Sequence, residues 1–70
     1  MNAQEKLLNE IERVTRIRGH FEELRGMPNV IVAPQIAMMT ASINAAKVAA
    51  ASDDAIKVIQ ALADLGEYSE

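Results

Sequence analysis

A cluster of basic side chains in the first third of the chain has the spacing of a ligand-binding group. Arg13, Arg16 and His20 stand at i, i+3 and i+7, on one side of a helix, with Arg18 close by. Guanidinium groups bind phosphate and carboxylate through paired hydrogen bonds, so this cluster predicts an anion or nucleotide site. The alternative, which we prefer, is a solvated helix face balanced by four acids, Glu10, Glu12, Glu22 and Glu23.

The sequence carries no further group with the pattern of an active site. It has no cysteine and a single histidine, and it lacks a glycine-rich phosphate loop and a nucleophile elbow. Asp53 and Asp54 point apart on a helix, and Asp64 lies about three turns away, so these acids do not predict a cation site. We therefore expect no catalysis, no metal and no cofactor.

Charge and hydropathy narrow the classes of partner. The net charge of −3 argues against nucleic-acid binding, which needs a basic face. Residues 26–46 carry no charge and are long enough to cross a bilayer, but Pro28, Pro34 and several polar side chains oppose that interpretation. No targeting segment is evident, so the expected location is cytoplasmic.

The chain is predicted to form a single all-α domain over residues 1–70. The first helix is expected at about 3–25, because six apolar residues recur every three or four positions: Leu7, Ile11, Val14, Ile17, Phe21 and Leu24. Gly26 is expected at its C-terminal end, in the position after the cap. Gly19 lies mid-helix, where it predicts either a close backbone contact or a bend. An extended connector is expected at 27–33.

The remainder is predicted to form helices at about 34–51 and 53–65. The second would bury Ile36, Met39, Ile43, Ala46 and Ala50. Ser52, Asp53 and Asp54 resemble a capped helix start, which favours a three-helix bundle over a hairpin with one long helix at 34–65. In the third helix Ile56, Ile59, Leu62 and Ala63 are expected inward, beside a second stripe of Val58, Leu62 and Leu65. The last four residues are expected to fray.

A core of this composition is thin for 70 residues, so we expect a homodimer or higher oligomer. The predicted partner or oligomer interface consists of six apolar residues: Val30, Ile31, Val32, Met38, Met39 and Ile43. The exposed apolar run 30–32 and the flexible methionines favour this surface.

These patterns predict a non-enzymatic, homo-oligomeric helical protein that inhibits or chaperones a partner protein. An alternative is a phage-type anti-defence protein that sequesters a nucleotide signal in pockets between subunits. A third interpretation is a structural subunit of a larger assembly. The nucleotide alternative depends on the arginine cluster, and no family motif supports any of the three interpretations.

Overall fold

A computed structural model describes residues 2–69 and confirms the all-α, three-helix prediction. The helices are α1 (Ala3–Leu24), α2 (Ala33–Ala51) and α3 (Ala55–Leu65), and each packs against the other two. Short connections make neighbouring helices antiparallel. The molecule is elongated, with extents of 44 × 19 × 16 Å. None of the helices within residues 2–69 combines the length and the hydropathy that a membrane-spanning segment needs.

Helix α1 buries the predicted stripe along most of its length. Leu7, Ile11, Val14 and Ile17 lie in the core, whereas Phe21 is only half-buried. The Asn2 side chain accepts a hydrogen bond of 2.8 Å from a backbone amide of the first turn. No atom beyond the helix's own backbone lies within 4 Å of a β-carbon built on Gly19, so close backbone packing does not explain this glycine.

The α1–α2 connection lies where the prediction placed a connector, at about 27–33, and it begins with a turn that is followed by a short irregular segment. The Val30 amide donates to the carbonyl of Met27 at 3.4 Å, and Asn29 has a positive φ of 65°. Pro28 fixes the first central position of the turn, and asparagine tolerates the left-handed conformation at the second. Gly26 does not take positive φ; the left-handed residue of this connection is Asn29.

Helix α2 ends where the sequence predicted a break, but the cap of α3 differs from the prediction. The Ser52 hydroxyl donates back to the Ala49 carbonyl at 2.8 Å, so Ser52 closes α2. The Asp54 carboxylate accepts from the amides of Ile56 and Lys57 at 3.0 and 3.3 Å, and α3 begins at Ala55 rather than Asp53. An aspartate suits this end because helix amides and the helix dipole are positive there.

Helix α3 buries a different face from the one first predicted. Val58 and Leu65 are buried, whereas Ile56 and Ile59 are 66% and 62% exposed. The helix carries apolar residues on more than one side, so spacing alone allowed both stripes. Helix α3 packs against α1 and α2 at once, and the face that it buries is the one with Val58 and Leu65. The small Ala61 lies half-buried beside them.

Candidate partner-binding site

The third helix is too short to cover the hairpin formed by the first two. Helix α3 has 11 residues, against 22 in α1 and 19 in α2. Its last turn lies level with the middle of α1, where an Arg13 Nη atom donates to the Leu65 carbonyl at 2.9 Å. The molecule therefore has three packed helices at one end and only two, α1 and α2, at the other. We call the end with two helices the open end.

The C-terminal tail lies across the open end as far as Ser69. The Tyr68 hydroxyl lies 2.9 Å from the Ser42 hydroxyl on α2, and the Tyr68 carbonyl accepts from Arg13 at 2.8 Å. The tyrosine ring is half-buried against the core. The prediction of a frayed tail was therefore wrong up to residue 69, and residue 70 lies outside the described part of the chain.

Two apolar hollows of about 260 and 140 Å³ flank this tail. They share Ile17, Phe21 and Ser69, so the tail divides what would otherwise be one groove. The larger hollow reaches α2 through Met38 and Met39, and the smaller one follows α1 to His20 and Leu24. Carbon atoms form most of the surface of both, which fits an apolar occupant.

Several large apolar side chains are exposed around the open end and its connecting loop. The exposed fractions are 62% for Met38, 39% for Leu24, 52% for Met27 and 81% for Ile31. Helix α2 also carries a single charge, Lys47, and large apolar residues lie on an exposed side of it as well as on its buried side. A helix of that kind is normally covered by protein, so part of its surface has no partner within the protomer.

The predicted interface residues fall into two groups. Ile31 and Met38 are exposed and Val30 is half-buried, so these side chains reach the surface of the protomer. Val32, Met39 and Ile43 are at most 7% exposed and pack within the protomer. The surface at the open end therefore uses only part of the predicted set, together with Leu24 and Phe21, which the prediction did not include.

The predicted anion-binding residues are not brought together within one protomer. Arg13 pairs with Glu10 and with the end of α3, whereas Arg18 donates to the Thr40 hydroxyl of α2 at 3.3 Å. Between residues 2 and 69, Arg16 and His20 have neither a side-chain hydrogen bond nor an ion pair. Arg13 thus connects α1 to α3, and Arg18 connects α1 to α2. Nucleotide binding in pockets between subunits stays a prediction.

A signal for the open end was present in the sequence. The predicted first helix was much longer than the predicted third, so part of its apolar stripe had no third helix to pack against. Tyr68 is the only tyrosine of the chain, and a lone aromatic residue near Glu70 was a further sign that the tail packs.

Three acidic side chains within residues 2–69 make contacts inside the fold. Asp54 caps α3, and Glu10 and Glu22 pair with arginines three residues further along α1. Within the described part of the chain, no three histidine or acidic side chains lie close enough to share a metal.

Comparison with protein-family models, with curated proteins and with solved structures gave no match to this chain.

Proposed function

We propose that this chain is a non-enzymatic, homo-oligomeric binding protein whose open end receives an amphipathic helix from another protein. Such binding would inhibit or chaperone the partner. The observation that carries the proposal is the missing half of the third helix, which leaves apolar side chains of α1 and α2 exposed beside two apolar hollows.

The size of the gap fits a short helix. Residues 14–24 of α1 lie beyond the level at which α3 ends, and 11 helical residues span about 16 Å. Helix α3 has the same length of 11 residues. A partner helix of three turns would therefore lie end to end with α3 and cover the rest of the α1–α2 hairpin. Displacement of the tail would join the two hollows into one groove for that helix.

The side chains of the site define the chemistry of the expected partner. Phe21, Leu24 and Met38 supply apolar contacts, and methionine adapts to partners of different shape. Arg16 and His20 follow the same edge of α1, and His20 lines the smaller hollow. We therefore expect a helix with an apolar stripe at i, i+3, i+4 and i+7 and acidic residues along one flank.

The total exposed surface supports association with other chains. The protomer exposes 4821 Å² for a mass of 7.6 kDa. A compact monomer of this mass is expected to expose about 4,300 Å². The protomer therefore exposes about 500 Å² more surface than a compact monomer of its mass.

The test is site-specific photo-crosslinking in cells that express the protein. A photoreactive residue replaces Met38, and a matched control replaces Ile59, which is equally exposed but lies on α3 away from both hollows. We expect position 38 to capture a defined protein through an amphipathic helical segment, which mass spectrometry of the cross-linked peptide identifies. Capture of the same proteins from both positions would contradict the proposal.

A further inference from the structure

A second surface, formed by α2 and α3 together, has features of a self-association site. A groove of about 460 Å³ runs between α2 and α3. We call it the α2–α3 groove. Its lining consists of seven residues: Ala45, Val48, Ala49, Lys57, Gln60, Ala61 and Asp64.

We infer that the α2–α3 groove is the dimer interface of this protein and that its occupant is a second copy of the same chain. The inference deepens the proposed function and rests on its homo-oligomeric part. It assigns self-association to a surface that shares no lining residue with the two hollows at the open end.

The charges of the groove are complementary to themselves. Lys57 and Asp64 lie seven residues apart on α3, which is two helical turns or about 10 Å. A two-fold axis that crosses α3 near Gln60 places Lys57 against the partner's Asp64, and Asp64 against the partner's Lys57. An isologous interface requires such reciprocal contacts, and the lining carries no net charge that would repel a second copy.

The apolar side chains of the groove allow close approach in the same arrangement. Three of its four apolar residues are alanines, and small side chains let helices pack closely. Val48 is 67% exposed at the edge of the groove, so the same two-fold axis packs it against the α2 helix of the other copy. The antiparallel pairs of α2 and α3 would then form a four-helix arrangement across the axis.

The remaining side of α2 extends this surface without charge. Ala41 and Asn44 follow the same exposed side of α2, and Lys47 does not line the groove. In contrast, α1 carries nine of the 17 charged residues of the chain. Because interface cores are depleted in charge, the α2 side is the better surface for a second copy.

Sedimentation equilibrium of charge-reversal variants tests this inference. Lys57→Glu and Asp64→Lys are each expected to raise the dimer Kd at least tenfold, because each places like charges together across the axis. The double variant restores both pairs with reversed signs and is expected to return within threefold of the original Kd. Lys47→Glu is the matched control and is expected to leave the Kd within twofold.

Disulfide formation gives an independent readout in a chain without cysteine. Val48→Cys is expected to form a covalent dimer at least tenfold faster than Ile59→Cys, whose position has similar exposure. The inference is overturned if the protein is monomeric at millimolar concentration, if the double variant fails to restore the dimer, or if both cysteines cross-link at the same rate. Capture of a partner at position 38 by a monomeric protein would refute this inference alone and leave partner binding intact.

Discussion

Replacement of Arg13 by methionine distinguishes a structural arginine from a ligand-binding one. The guanidinium donates to the carbonyls of Leu65 and Tyr68 at 2.9 and 2.8 Å and pairs with Glu10. These bonds hold the end of α3 and the tail against α1. The positive charge of Arg13 also interacts favourably with the negative C-terminal end of the α3 dipole. Methionine keeps the length and helix propensity of the side chain but removes all of these interactions.

The expected loss can be estimated from those contacts. Hydrogen bonds to charged groups contribute about 1.5–3 kcal/mol each when they are buried. The Arg13 side chain is 28% exposed, so solvent screening reduces this contribution. We expect Arg13→Met to lower the free energy of unfolding by about 2 kcal/mol. With a urea m-value of about 1 kcal/mol/M for a chain of this size, the midpoint falls by about 2 M.

The assay is urea unfolding followed by circular dichroism at 222 nm, with all variants at the same protein concentration because self-association adds to stability. Arg16→Met is the control, since Arg16 is exposed and has no polar partner among residues 2–69. It is expected to shift the unfolding free energy by less than about 0.5 kcal/mol. Equal midpoints for the two variants would refute the structural role assigned to Arg13.

Three further substitutions test other parts of the account by thermal unfolding. Gly19→Ala is expected to raise the Tm by about 4–8 °C, because its β-carbon meets nothing and alanine favours the helix by about 1 kcal/mol. Gly66→Ala is its control and should give no gain, since its β-carbon would lie 3.2 Å from a backbone oxygen. Asp54→Ala is expected to cost about 1 kcal/mol as a lost helix cap, whereas Asp53→Ala should cost much less. Tyr68→Phe is expected to cost about 1 kcal/mol through the lost bond to the Ser42 hydroxyl. A reversed order within either matched pair, or a Tyr68→Phe protein as stable as the original, would contradict the corresponding assignment.

The helices were predictable because their apolar spacing and end signals agree. The apolar residues from Leu7 to Ile17 fit a single face of a helix with 3.6 residues per turn, and the structure buries that face. The break between α2 and α3 followed from polar residues that favour helix ends. In contrast, serine and aspartate both favour the N-cap position, so the sequence did not distinguish Ser52 from Asp54. The backbone conformation in the structure places Asp54 at the N-cap, where its carboxylate accepts from the α3 amides.

The face of α3 and the role of the arginines could not be derived from spacing. Ile59 and Val58 are both apolar neighbours on the same helix, and contact with two other helices decides which one is buried. Arg13 binds carbonyls more than fifty residues away in sequence, and no local pattern identifies such a partner. The unequal lengths of the predicted first and third helices indicated an open end, but its extent depends on where α3 stops relative to α1, which only the tertiary structure gives.

The claim that the open end binds a partner helix is tested most directly by quantitative affinity capture with two matched variants. Met38→Asp places a charge in the apolar site, and Ile59→Asp makes the same change at an equally exposed position outside it. Loss of a buried methionine contact removes about 1.5–3 kcal/mol, which is at least a tenfold loss of affinity. We expect a defined partner that the original protein and Ile59→Asp retain and Met38→Asp loses. Equal retention by both variants would contradict the account.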